Sequence, residues 1–214
     1  WYERGVIIQE GYGMTESAAA GCFLTKDDIP EKIGSAGRSL IHSTIRIVGE
    51  DGQTCAPNTP GEIWMKGAAV TPGYWRRPEA NAESFVDGWL RTGDIGRMDE
   101  DGYVYIEDRI KDMYISGGEN VYCGEVENAI SAHPAVKDCA VIGVPHDLWG
   151  EAVHAVVVLM DGQSVTQEAL IEQCRARIAR YKCPKTISFI ERMPLSAANK
   201  VLKTTLREMY GGAK

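Results

Sequence analysis

Asp108-Arg109-Ile110-Lys111-Asp112-Met113-Tyr114-Ile115-Ser116-Gly117-Gly118-Glu119-Asn120-Val121-Tyr122 is the stretch on which the reading of this 214-residue chain turns. Its first five residues set four charges around one apolar side chain, and the texture of the sequence differs on either side of them. Upstream, from about residue 30, short β-type runs alternate with turn residues: Thr44-Ile45-Arg46-Ile47-Val48, then Gly49-Glu50-Asp51-Gly52, then Gly61-Glu62-Ile63-Trp64-Met65. Asp51-Gly52 and Asp101-Gly102 are hairpin signals, and the alternation through 44–48 and 103–106 suits antiparallel strands. Downstream, Val126, Ala129 and Ile130 fall at helical spacing within Glu125–Ala132, and Pro134 ends the run. Strands are expected at Cys139–Val144, Val153–Leu159 and Thr186–Ile190, and a last short helix at Val201–Tyr210. Ser164-Val165-Thr166-Gln167 reads as a capping box that opens a helix through Ala179. The charged stretch therefore reads as a linker or hinge between a predominantly β region and a small α+β domain.

Composition narrows the classes. At 44% hydrophobic and 25% charged, the chain reads as globular, with length for one large domain or two small ones. The longest apolar run, Ala155–Met160, is far below the roughly 18 residues that span a bilayer, so no membrane span is expected. With 23 basic against 30 acidic side chains, the net charge of -7 disfavours nucleic acid as a partner. The six cysteines, at 22, 55, 123, 139, 174 and 183, are never closer than nine positions, so no C-x-x-C zinc or redox pair exists and a reducing cytoplasm is expected. The sequence opens on Trp1 without a leader, and Val6-Ile7-Ile8 reads as a buried strand whose neighbours lie upstream, as in a fragment of a longer protein.

Four segments carry candidate chemistry. Gly11-Tyr12-Gly13-Met14-Thr15-Glu16 offers glycines for close backbone approach, a ring that can stack on a base, a hydroxyl for phosphate and a carboxylate for Mg²⁺. Taken alone, an ordinary strand-to-loop turn with a core tyrosine accounts for it equally well. In Gly88-Trp89-Leu90-Arg91-Thr92-Gly93-Asp94, a carboxylate after a Thr-Gly turn is placed to accept both hydroxyls of a ribose, although an Asx-type turn explains it too. Ser116-Gly117-Gly118 gives either a tight hairpin or a bare backbone past which a thin ligand can thread. Lys200, in Pro194-Leu195-Ser196-Ala197-Ala198-Asn199-Lys200-Val201-Leu202-Lys203, is by itself an ordinary surface lysine.

In this order and spacing, the four segments resemble the superfamily of acyl-CoA synthetases, peptide-synthetase adenylation domains and beetle luciferases, over Gln9 to Arg207. Met14 in Y-G-M-T-E and the S-G-G-E-N-V-Y string are similar to the acyl-CoA synthetases in particular. Two positions depart from that pattern: Asn199 and Cys123 stand where members usually carry Gly and Pro. The resemblance implies a fold of class α/β and α+β. Residues 1–110 would be the end of a large, mostly β, distorted barrel-like adenylate-forming domain, and residues 111–214 a small mobile α+β lid. It implies ATP-dependent activation of a carboxylic acid, fatty or aryl, to acyl-AMP, and transfer of the acyl group to coenzyme A.

By resemblance, Lys200, Thr15 and Glu16 are catalytic and Glu16 holds Mg²⁺. Gly11, Tyr12, Gly13, Asp94 and Arg109 bind the nucleotide, Gly117 and Gly118 face the CoA thiol step, and Lys111 is the hinge. ATP or AMP, Mg²⁺ and CoA are the expected cofactors. The family's phosphate loop and most of its acyl pocket lie upstream of Trp1, so the isolated fragment is expected to be weakly active or inactive. A non-catalytic AMP-binding module, and an adenylation domain serving a carrier protein, are the alternatives.

Overall fold

The computed structural model describes residues 1–197 and 199–211; Ala198 of the last motif lies outside them. The chain divides into two compact units, Trp1–Ile110 and Lys111–Lys214. The expected class, mixed α/β with a mostly β first part, is the one found.

In the first unit, β1 (Gly11–Tyr12), β2 (Cys22–Phe23) and β3 (Arg38–Ser39) form a small antiparallel sheet. A second, five-stranded antiparallel sheet follows, built from β4 (Ser43–Val48), β5 (Gly61–Gly67), β6 (Phe85–Val86), β7 (Trp89–Met98) and β8 (Val104–Arg109). Its order is β4-β5-β7-β6, with β8 also on β7, and the short helix α1 (Pro78–Ser84) precedes β6. Ile45 and Ile47 of β4 face Met65 and Ile63 of β5 and join Cys22, Ala36 and Val104 in one apolar core. Alternation decides this face, because successive side chains of a strand point to opposite sides. The Asp101-Gly102 turn links β7 to β8, with the Gly102 amide donating to the Asp99 carbonyl.

Val6, Ile7 and Ile8 do not form the expected buried strand. They carry no strand pairing and are 44%, 50% and 52% exposed. A three-residue apolar run states that contact with something apolar is favourable, not what supplies it.

In the second unit, β9 (Tyr114–Ser116) and β10 (Glu119–Val121) make a hairpin, and α2 (Cys123–Ser131) leads into the long antiparallel pair β11 (Val136–His146) and β12 (Gly150–Leu159). After α3 (Gln167–Arg175), β13 (Thr186–Phe189) runs parallel to β12, as a helical crossover allows. The unit closes with α4 (Lys203–Tyr210). One sheet face packs on α2 and α3 through Val141, Val153, Ala155, Val157, Val126, Ile130 and Leu170. The other packs on α4 through Ala140, Ile142, Val156, Val158 and Leu206. Burial on both faces explains why 152–158 reads as an apolar run interrupted by His154 alone. The cap of α3 is Thr166, whose Oγ1 accepts the Ala169 amide at 3.2 Å, not Ser164. The helix also stops four residues short of Ala179, because the chain turns at Ala176.

His154 lies within that apolar run, 6% exposed, with Nδ1 2.7 Å from Thr186 Oγ1 and its ring 4.8 Å from that of Tyr210. Burial lowers its pKa below the ordinary imidazole value. The unfolded chain therefore takes up the proton first as pH falls, and stability is lost as pH drops below about 6.5 toward the lower folded pKa. Urea midpoints of the wild type should fall between about pH 7.5 and 5.5 more steeply than those of His154→Gln. Parallel pH profiles would assign the acid sensitivity elsewhere.

Candidate active site

In the first unit, three of the residues singled out from sequence meet at one carboxylate. Tyr12 of β1 donates its hydroxyl to Asp94 Oδ2 at 2.6 Å, and Arg109 Nε lies 3.1 Å from Asp94 Oδ1. The β7–β8 register places Asp94 and Arg109 directly opposite one another. Asp94 is 6% exposed, and burial together with its charge drives the Tyr12 phenol far above its usual range. Each carboxylate oxygen thus accepts one bond, which uses two of about four acceptor positions and leaves two for a vicinal diol.

Thr15 and Glu16 open a single 3₁₀ turn, Thr15–Ser17, after β1. Thr15 is exposed, and Glu16 Oε1 accepts the Tyr74 hydroxyl at 2.9 Å while its carbonyl accepts the Thr71 amide. Burial, and secondarily this bond, raises the Tyr74 phenol pKa. Tyr74 was not legible as a site residue, since a tyrosine among Thr71, Pro72 and Gly73 names no partner. The turn exits through Ala18 and Ala19, both left-handed at φ 49° and 60°. A Cβ on Gly13 would lie 2.4 Å from the Ala19 carbonyl oxygen, and one on Gly11 2.9 Å from the Phe23 ring. Protein therefore fills the space beside both glycines. No group of three or more metal-binding side chains occurs among the described residues. One oriented carboxylate at Glu16 fits a Mg²⁺ held chiefly by substrate phosphates, not one caged by protein.

In the second unit, Gly117 and Gly118 form the two-residue turn between β9 and β10 at φ 62° and 89°, the pair of left-handed positions a tight hairpin requires. The Gly117 amide donates to the Trp149 carbonyl, and a Cβ on Gly117 would sit 3.5 Å from the Trp149 ring, whereas beside Gly118 the space is open. Lys185 Nζ lies 4.5 Å from the Trp149 ring centroid, and the His146 ring stacks on the same indole with centroids 4.3 Å apart. Nothing in the sequence marked Trp149. Lys111 is exposed in the 3₁₀ turn Ile110–Asp112, at the first residue of the second unit. Lys200 is exposed on a tight loop, its amide donating to Ser196 Oγ and its carbonyl accepting the Ser196 amide.

The family model for AMP-binding enzymes matches residues 1–75, and that for the AMP-binding enzyme C-terminal domain matches residues 125–200. The chain is 44% identical over 211 residues to feruloyl-CoA synthase of Amycolatopsis sp, covering 99% of this chain and 43% of the relative. The chain belongs to the AMP-binding enzyme family. It is also 44% identical over 207 residues to the long-chain-fatty-acid–CoA ligase FadD13 of Mycobacterium tuberculosis H37Rv, covering 97% and 41% of the two chains. The structure of o-succinylbenzoate coenzyme A synthetase from Bacillus subtilis with ATP and magnesium ion superimposes at a TM-score of 0.89. It shares 40% identity, over 96% of this chain and 42% of that one. This AMP-binding enzyme chain therefore spans less than half the length of the relatives it matches.

Its departures from the family pattern have local explanations. Asn199 takes the left-handed conformation, φ 58°, that a glycine would supply. Cys123 occupies the first position of α2, where proline is favoured, and its thiol lies 2.7 Å from the Asp112 carbonyl.

Proposed function

We propose that this chain is the C-terminal portion of an AMP-forming acid–CoA ligase that lies in the cytoplasm. The upstream portion would supply the phosphate loop and most of the acyl pocket. The buried Asp94 carboxylate carries the reading, because it is pre-oriented by Tyr12 and Arg109 with acceptor capacity left for two ribose hydroxyls. The named acids of the relatives, ferulic, long-chain fatty and succinylbenzoic, support an aryl or fatty acid as the substrate. Six cysteines outside any disulfide, five of them buried, support a reducing compartment.

In the first half-reaction, a carboxylate oxygen bonds to the α-phosphorus of ATP, the α–β bridging bond breaks and pyrophosphate leaves. The CoA sulfur then bonds to the acyl carbon, its proton passes to solvent and AMP leaves. Asp94 orients the ribose, Tyr12 offers a ring face to adenine while its hydroxyl is held, and Arg109 lies on the ribose or phosphate side. Thr15 contacts phosphate, and Lys200 meets charge that develops on the phosphoryl oxygens, where a positioned cation contributes most. A Mg²⁺ on Glu16 would neutralise phosphate charge. Lys111 is the pivot that lets the second unit offer Lys200 to one half-reaction and the Gly117-Gly118 turn to the other.

Enzyme prepared at the full length of its relatives, given ATP, CoA and a panel of aryl and fatty acids, should yield AMP, pyrophosphate and acyl-CoA in equal amounts. Release of ADP, or no nucleotide cleavage with any acid, would remove the ligase reading. Gly117→Leu places a side chain in a left-handed turn and beside the pantetheine route, and should lower acyl-CoA output about tenfold while pyrophosphate release persists. Equal losses in both would deny the hairpin its part in the thiol step.

A further inference from the structure

Glu62 has no place in the roles above, yet it is among the few buried charged side chains, at 9% exposure. Its carboxylate accepts three donors: Trp64 Nε1 at 2.9 Å and Arg91 Nε at 2.9 Å on Oε2, and the Gly93 amide at 3.2 Å on Oε1. A buried carboxylate is costly unless such donors meet it. Those donors also mark a defect in the sheet. Glu62 pairs with Ile95 and Trp64 with Arg91, so Ile63 alone on β5 faces Thr92, Gly93 and Asp94 on β7. The bulged strand must be held from both flanks, because ladder hydrogen bonds are lost there.

One flank is Thr92, whose hydroxyl donates to the Ile63 carbonyl at 2.7 Å and accepts the Asp94 amide at 3.1 Å. The other is Glu62 on the Gly93 amide, at a residue with φ 72°. Asp94 leaves this bulge already aimed at Tyr12 and Arg109.

We propose that Glu62 is a positioning residue which, by capping the Thr92–Gly93 bulge, sets the orientation in which Asp94 receives the ribose diol of the nucleotide. The inference rests on the ribose reading of Asp94 given above. It needs a carboxylate specifically. A glutamine would turn an NH₂ group toward the Gly93 amide or the Arg91 guanidinium, setting donor against donor.

The test uses enzyme at the full length of its relatives, with ATP and 2′,3′-dideoxy-ATP compared by kcat/KM in pyrophosphate exchange for wild type, Glu62→Gln, Asp94→Asn and the double variant. The wild type should prefer ATP, Asp94→Asn should abolish the preference, and Glu62→Gln should reduce it about tenfold. The double variant should show no further loss of preference beyond Asp94→Asn, the signature of one residue acting through the other. Should Glu62→Gln slow both nucleotides equally while Asp94→Asn still removes the preference, the ribose reading stands and the positioning role falls. If Asp94→Asn leaves the preference intact, both fall. Should Glu62→Gln not fold, Trp64→Phe removes one donor and keeps a ring in place. It must then shift the same ratio in the same direction, and an unchanged ratio overturns the proposal.

Discussion

Lys200→Ala, in enzyme of full family length, should lower pyrophosphate exchange by about 10²–10³-fold, the usual effect of removing one preorganised charge-stabilising donor. The same variant, given acyl adenylate and CoA, should form thioester at close to the wild-type rate, because that step spreads no new charge over the phosphoryl group. The loop fixes the backbone from which the Lys200 side chain projects. Ser196 and Lys200 exchange backbone and hydroxyl bonds, Leu195 bridges Val201, and Asn199 reverses the chain at φ 58°. Asn199→Gly should accordingly retain exchange, whereas Asn199→Val should lose it, since a β-branched residue resists positive φ. Lys200→Arg should recover little, as a planar fork does not replace a compact point charge. Exchange that survives Lys200→Ala intact would strike Lys200 from the catalytic set, and equal losses in both half-reactions would reduce it to a structural residue.

Much of the second unit was legible because its physics is local. The run 152–158, His154 apart, is apolar on both faces, and α2 announces itself by Val126, Ala129 and Ile130. The four motifs were legible as segments, but their meeting was not. No spacing rule brings Tyr12 to Asp94, 82 positions away, and only the joint resemblance suggested it. Glu62 and Tyr74 stayed hidden for a related reason. A lone carboxylate in an alternating strand reads as part of a solvated face, and only the β5–β7 register reveals that three residues oppose one at that point. Val6–Ile8 departs in the opposite direction, since three apolar residues in a row suggest a buried strand and the structure leaves them half exposed and unpaired. At α3, Ser164 and Thr166 were both competent caps, and the two-residue choice between them depended on where the loop from β12 delivers the chain.

Asp94→Asn should separate from Lys200→Ala by the half-reactions it damages. The ribose diol is present in ATP and persists in the acyl adenylate, so a residue that binds it serves both steps, whereas an ammonium directed at the α-phosphate serves one. Loss of charge-assisted bonds worth about 1.5–3 kcal/mol each should cost about 10²-fold in kcat/KM for ATP and a comparable factor for supplied adenylate. Part of any effect is internal. The amide has one acceptor oxygen where the carboxylate had two, so the Tyr12 hydroxyl must turn from donor to acceptor to meet the new NH₂ group, both contacts lose their charge assistance and thermal stability should fall. Substrate discrimination removes that ambiguity, because a merely loosened fold weakens 2′,3′-dideoxy-ATP as much as ATP, whereas a lost diol contact weakens ATP alone. A variant impaired only in adenylation, with adenylate still used normally, would place Asp94 at the reacting phosphate and not at the sugar, and the division of labour between the two units would have to be redrawn.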